Sequence, residues 1–79
     1  MRIKVRFFAA HRETVRAGYK WYEVPDSARL KDIIEIVVRR HPVLKIDGAA
    51  FALNRRLATP SVRLSDGDEV AILPPVSGG

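Results

Sequence analysis

The side chains of this protein that could do chemistry do not form a catalytic or metal-binding pattern. The two histidines, His11 and His41, lie in different segments, and neither has a partner at the spacing of metal ligands. The stretch DGDE concentrates Asp66, Asp68 and Glu69, but it lacks the alternating ligands of a calcium loop and favours a turn. The sequence has no cysteine, no glycine-rich phosphate loop and no nucleophile elbow. We therefore expect no metal site, and we expect any reactive group to be something other than a side chain.

The segment ILPPVSGG offers a different reactive group, the α-carboxylate of Gly79. A carboxylate can be activated as a mixed anhydride with AMP and then attacked by a sulfur or amine nucleophile. Two glycines, which have no Cβ, would pass through a narrow channel, and Pro74 and Pro75 favour an extended backbone that points away from a sheet. The chain from Pro75 to Gly79 would span at most about 17 Å. The sequence therefore predicts a folded body, residues 1–75, and a flexible tail, residues 76–79, that enters another protein's active site.

The elements that must position this tail follow from the hydrophobic periodicity. MRIKVRFFAA alternates with a period of two and predicts a strand with one buried face, and YKWYEV predicts a second strand. HRETVRAG, between them, is long enough for one turn of helix. SARLKDIIEIVVRR repeats its apolar residues at helical spacing, with Asp26 or Ser27 as a candidate cap and Pro42 as the stop. AAFAL, a short piece at Leu57-Ala58, and EVAIL predict the remaining strands.

This order of elements predicts an α+β fold with one mixed sheet and one main helix packed across one face. The predicted core consists of apolar residues from the strands and the helix: Ile3, Val5, Phe7, Leu30, Ile33, Ile34, Val37, Leu53, Val70 and Ile72. If Val70 and Ile72 face the helix, the alternation of a strand turns Leu73 to the outer face, where it would be available to a partner.

Composition and charge narrow the classes of partner. At 79 residues and 47% hydrophobic, the chain predicts one globular domain, and no apolar run approaches the length of a membrane span. We expect a cytoplasmic protein without a membrane partner. The net charge is +5, but the 14 basic residues are spread along the chain rather than gathered in one run. A nucleic-acid partner is therefore disfavoured, and the charge would rather steer the protein toward an acidic protein.

Several motifs together resemble the small-subunit (MoaD) branch of the MoaD/ThiS family of ubiquitin-like β-grasp sulfur carriers. They are RFFAAHRE in the first strand, ALN before a turn, and LSDGDEVAILPPVSGG at the end. The resemblance covers nearly the whole chain, and GDEV followed by PPVSGG is its most specific part. It implies that Gly79 is adenylated by a ubiquitin-activating-type enzyme that uses ATP, and that it is then converted to a thiocarboxylate. It also implies that no cofactor is bound permanently.

The same resemblance implies a partner and a division of labour. The tail would enter a MoaE-like large subunit of molybdopterin synthase, where its sulfur passes to cyclic pyranopterin monophosphate in molybdenum cofactor biosynthesis. The protein would be a sulfur-donating subunit and not a catalyst by itself. The residues implied to thread into the partner are Pro74, Pro75, Val76, Ser77 and Gly78. Leu57 matches a family position that contacts the large subunit, and we expect it to form the contact surface together with Leu73, which the strand alternation turns outward.

Three alternatives remain open at this point. The tail would also serve the thiazole-pathway sulfur carrier (ThiS), although Pro-Pro-Val favours the molybdopterin branch. It would equally serve a ubiquitin-like modifier that is conjugated to lysines through Gly79, because carrier and modifier use the same activated intermediate. A basic nucleic-acid-binding module would need exposed aromatic residues interleaved with arginines, and YKWYE, with Trp21, comes nearest to that pattern.

Overall fold

The computed structural model describes residues 1–75, which form a five-stranded mixed sheet and two helices. In chain order the elements are β1 (Arg2–Phe7), α1 (Ala9–Val15), β2 (Tyr19–Glu23), α2 (Leu30–Arg40), β3 (Ala50–Leu53), β4 (Arg56–Leu57) and β5 (Glu69–Leu73). The predicted fold class is confirmed. The segment expected to form one turn is a seven-residue helix instead, and it begins at Ala9, because the first strand ends at Phe7 rather than continuing to Ala10.

The order of the strands places the last strand in the middle of the sheet. The strands lie in the order β2-β1-β5-β3-β4, so β5 is the central strand. β5 runs parallel to β1, with Phe7 opposite Ile72, and antiparallel to β3, with Phe51 opposite Ile72. The parallel pairing places the residues that follow β5 beside those that follow β1. The chain therefore leaves the sheet at its centre, next to Phe8 and α1.

Helix α2 covers one face of the sheet with the predicted apolar stripe. Leu30, Ile33, Ile34 and Val37 are buried, and the burial of such a face holds a helix that is rich in β-branched residues. The predicted cap is wrong: the helix begins at Leu30, and the backbone N–H of Arg29 donates to Asp32 Oδ2 at 2.7 Å. Asp32 thus reaches back over the first turn, which a search for a capping residue before the helix does not reveal.

The core agrees with the predicted core at all but one position. Of the ten predicted residues, nine are buried and Leu53 is partly buried. Leu53 does lie on the helix-facing side, opposite Val70, but the edge strand beside it, β4, is only two residues long and covers it on fewer sides. Further buried residues come from α1 and from the loops, such as Val15, Leu44 and Leu64. Neither helix in residues 1–75 is long and apolar enough to cross a membrane.

Candidate functional site

The root of the tail, Pro74 and Pro75, lies between α1 and the loop before β3. Pro74 and Pro75 follow β5 directly and line a depression of about 350 Å³ between α1 and the loop before β3. Gly48 in that loop has a φ of +75°, and a Cβ added there would lie 3.6 Å from Cβ of Pro75. A residue with a side chain would be strained at this backbone conformation. The loop therefore passes close beside Pro75, where the tail begins.

The remaining tail residues named by the sequence lie outside the described residues. These are Val76, Ser77, Gly78 and Gly79. Their assignment as a flexible tail, and the role of the Gly79 carboxylate, stay predictions.

His11 connects the two walls of the depression around the tail root. It is 5% exposed, and its Nε2 lies 2.8 Å from the carbonyl oxygen of Lys45. A carbonyl can only accept, so Nε2 carries the hydrogen and donates it, which fixes the tautomer. This bond ties α1 to the loop before β3. The sequence revealed no partner for His11 because the partner is a backbone oxygen, which no search for side-chain spacing can find.

The two predicted contact residues, Leu57 and Leu73, lie in the same groove on the outer face of the sheet, opposite the helix-facing side. The groove has a volume of about 310 Å³, and its lining consists of five apolar and three charged residues: Phe8, Ala52, Leu57, Ala71, Leu73, Arg6, Arg55 and Glu69. Ala52 and Ala71 are direct neighbours across β3 and β5, and their small side chains form its floor. The register thus brings both leucines together, and their role in binding a partner stays a prediction.

A tight turn holds Leu57 at the rim of this groove. Asn54 and Arg55 have positive φ angles of 50° and 70°, as in the two-residue hairpin turns that match the twist of a sheet. The Asn54 side chain accepts from the N–H of Glu69 at 3.0 Å and donates to Asp68 Oδ1 at 3.0 Å. Leu57, which follows this turn, is 78% exposed. A leucine held so far out of the core by a well-bonded turn is available for contact with another molecule.

Phe8 belongs to the groove although the sequence did not single it out as a contact residue. It is 38% exposed and lies at the end of β1, beside the end of β5. The alternation of β1 carried the signal, because Phe7 points into the core and the next residue must point away from it. What the sequence lacked was the knowledge that β1 and β5 are parallel neighbours. That pairing is what places Phe8 beside Leu73.

Cations and aromatic rings cover the part of the outer face that lies beyond the groove. The Arg2 guanidinium is 4.8 Å from the centroid of the Trp21 ring, and Lys4 Nζ is 4.3 Å from that of Tyr19. These cation–π contacts occupy ring surface that base stacking would need. Whether this surface binds nucleic acid stays, as a question of partner, with the prediction from the sequence.

The remaining candidate groups of the sequence serve the fold. Asp68 Oδ2 accepts from the N–H of Ser65 within the DGDE turn, and Asp66 Oδ1 accepts from the N–H of Arg2 and ties the turn to β1, both at 2.7 Å. Within residues 1–75, no three His, Cys, Asp or Glu side chains are placed to hold a metal ion.

His41 lies at the C-terminal end of α2, its ring 6.3 Å from that of Phe7. Burial, together with the positive charges of Lys20 and Arg40, lowers the pKa of His41. Its neutral form is therefore the one that suits the folded protein.

Comparisons with known proteins find similarity in both sequence and structure. The model of the ThiS family matches residues 5–79. A molybdopterin synthase sulfur carrier subunit from Chlamydomonas reinhardtii is 40% identical over an alignment of 83 positions, which covers 100% of both chains. SAMP1 from Haloferax volcanii has a similar structure, with a TM-score of 0.86 and 27% identity over 100% of both chains. A chain in the complex of subunits 1 and 2 of the molybdopterin-converting factor from Helicobacter pylori 26695 has a TM-score of 0.73 and 28% identity, again over 100% of both chains.

Proposed function

Because the chain belongs to the ThiS family, we propose that it is a sulfur carrier of molybdenum cofactor biosynthesis and the small subunit of a molybdopterin synthase. The observation that carries this proposal is the 40% identity, over the full length of both chains, to a molybdopterin synthase sulfur carrier subunit. The H. pylori complex, in which subunits 1 and 2 of a molybdopterin-converting factor are bound together, supports a large-subunit partner. We retain a cytoplasmic location as part of the proposal.

The reactive group is the α-carboxylate of Gly79. A ubiquitin-activating-type enzyme joins this carboxylate to the α-phosphate of ATP, and pyrophosphate leaves. Sulfur at the oxidation level of hydrosulfide then attacks the acyl carbon of the adenylate, AMP leaves, and a thiocarboxylate results. In the large subunit the thiocarboxylate sulfur bonds to cyclic pyranopterin monophosphate, and water then cleaves the bond between the acyl carbon and the sulfur, which leaves the sulfur on the pterin and returns Gly79 as a carboxylate. The carrier needs no resident cofactor for these steps.

The folded body positions this tail and does not act on it. The groove ends at Leu73, and Pro74, the next residue, begins the tail root. A partner that covers the groove therefore receives the tail within a few residues of its own surface. The two prolines restrict the backbone at the exit, which lowers the entropy lost when the tail is threaded.

The exposed apolar surface of the groove supports the proposal that a partner binds there. Leu57 and Phe8 are large apolar residues that are both exposed in this groove. Their exposure does not stabilise a monomer, and it is typical of a surface that binds a partner. The outer face is also the side of the sheet that α2 leaves uncovered. Docking of the large subunit on this face buries these side chains and leaves the helix side free.

A second candidate function is protein modification, and the similarity to SAMP1, a small archaeal modifier protein, favours it. Carrier and modifier share the adenylate of Gly79 and differ in the nucleophile that attacks it. A sulfur nucleophile makes the carrier, and a lysine amine makes a conjugate. The two functions therefore differ in products rather than in the fold.

Reconstitution of the synthase tests the proposal. The protein is co-expressed with the large subunit from the same genome, and the complex is isolated by size-exclusion chromatography. The thiocarboxylated complex should convert cyclic pyranopterin monophosphate to molybdopterin, while the same complex with an unmodified carboxylate should not. If no complex forms and lysine conjugates accumulate instead, the protein is a modifier and the proposal is wrong.

A further inference from the structure

Arg6 is a charged residue in the wall of the outer-face groove that is only loosely paired within residues 1–75. Its Nη1 lies 3.9 Å from Glu69 Oε1, which is too long for a hydrogen bond, and its side chain is 41% exposed. Its Nε is buried and has no acceptor among residues 1–75. The guanidinium also lies 5.8 Å from the centroid of the Phe8 ring, within the apolar part of the groove.

The other two cations on the outer side of β1 lie closer to aromatic rings. Arg2 and Lys4 lie 4.8 and 4.3 Å from the Trp21 and Tyr19 rings, whereas Arg6 lies 5.8 Å from the Phe8 ring. The carboxylate that Arg6 does meet, that of Glu69, is too distant to accept a hydrogen bond. Arg6 is therefore only loosely paired within residues 1–75 and retains N–H donors for an acceptor that a partner supplies.

The groove as a whole has an excess of positive charge. Arg6 and Arg55 line it together with one carboxylate, Glu69. A partner that covers the apolar residues removes water from these groups as well. An arginine that loses its water without gaining an acceptor makes binding less favourable, whereas a paired arginine strengthens binding and selects the partner.

We propose that Arg6 is the charged anchor of this groove: the segment of the large subunit that packs on Phe8, Leu57 and Leu73 places a carboxylate on the Arg6 guanidinium. The inference rests on the proposed function, because it names the chemistry of the partner at the same site. The occupant is thus a segment that combines an apolar side chain with an Asp or Glu. Arginine is suited to this task because its planar fork matches a carboxylate and its face packs on an aromatic ring.

The first experiment compares two identical substitutions at different places. Arg6→Met keeps an apolar stem of similar length and removes the charge, and Arg63→Met makes the same change at an exposed residue outside the groove. Binding of the large subunit is measured by surface plasmon resonance, and folding is checked by thermal melting. We expect Arg6→Met to weaken binding about 30-fold or more, mainly through faster dissociation, and Arg63→Met to change it less than about twofold.

A gain-of-chemistry variant identifies the carboxylate directly. Arg6→Lys places an amine at the same position, and a zero-length carbodiimide joins an amine to a contacting carboxylate as an amide with loss of one water. We expect the Arg6→Lys complex to form a new cross-link between residue 6 and an Asp or Glu of the large subunit, absent from the unsubstituted complex. A link from residue 6 to Glu69 alone would overturn the inference.

The outcomes separate the inference from the function on which it rests. If the unsubstituted protein binds and Leu57→Asp weakens that binding, while Arg6→Met and Arg63→Met behave alike, the groove is the docking site and Arg6 is not its anchor. If the unsubstituted protein does not bind the large subunit at all, the proposed function fails and the inference fails with it.

Discussion

Replacement of Leu57 by aspartate should weaken the complex with the large subunit while leaving the free protein stable. Leu57 is 78% exposed and lies on a two-residue edge strand, so its replacement removes little buried surface from the free protein. Covering a leucine side chain contributes about 1.5–3 kcal/mol to association. A carboxylate in its place must also lose water in the covered groove. We therefore expect a loss of at least about 2 kcal/mol, which is about 30-fold in Kd.

Leu73→Asp should weaken binding to a similar degree but with a different effect on stability. Leu73 lies in the central strand and is partly buried by its neighbours before any partner binds. Its replacement therefore lowers the melting temperature more than Leu57→Asp does. The order of the two melting temperatures tests whether the loss of stability depends on how exposed each leucine is in the free protein.

Isothermal titration calorimetry with the large subunit measures both affinities. Ser27→Asp is the control, because it adds the same charge at an exposed position before α2, outside the groove. It should bind within about twofold of the parent. If Leu57→Asp and Leu73→Asp both bind as tightly as this control, the outer-face groove is not the docking site and the reasoning is refuted.

Three further predictions concern the tail root, the end of α2 and the tail. Gly48→Ala should lower the free energy of unfolding by about 1 kcal/mol or more, since the φ of Gly48 is +75°. Gly18 is not in the left-handed region, so Gly18→Ala should not lower it, and equal denaturation midpoints for the two variants would contradict this. Burial lowers the pKa of His41, so the unfolded chain binds its proton at a higher pH, and the free energy of unfolding should fall as the pH drops below about 6.5. His41→Asn should flatten that dependence in chemical denaturation, and an unchanged slope would show that other groups cause it. Gly78→Leu should melt like the parent yet block entry of the tail into the activating enzyme, seen as loss of ATP–pyrophosphate exchange; undiminished exchange would show that the channel is wide.

Elements of the fold could be predicted from the sequence where a long segment repeats its apolar residues with one period. β1 alternates without interruption, and α2 presents apolar residues at helical spacing, so both were identified from their own residues. The cap of α2 was not, because Asp32 reaches back from within the helix instead of preceding it. The extent of α1 was also missed, since a seven-residue helix with two buried residues gives little periodic signal.

Only some residues of the groove could be predicted from the sequence, for a related reason. Alternation within β5 turned Leu73 outward, and family resemblance pointed to Leu57. The neighbours Phe8 and Arg6 depended on β1 pairing with β5 in parallel, which is a contact between the two ends of the chain. Such pairings are set by the packing of the whole sheet, and no local pattern records them. The hydrogen bond from His11 to a backbone carbonyl could not be predicted from the sequence for the same reason.

The central claim is that the carboxylate of Gly79 is the group that accepts and delivers sulfur. The most direct test is intact-mass spectrometry after incubation with ATP, the activating enzyme and a sulfur source. The parent should exchange one oxygen for sulfur. Deletion of Gly79 draws the terminal carboxylate back by about 3.5 Å, beyond the near-attack distance, so this variant should stay unmodified while melting like the parent. If the deletion variant still acquires sulfur and supports molybdopterin formation at the parent's rate, the claim is contradicted.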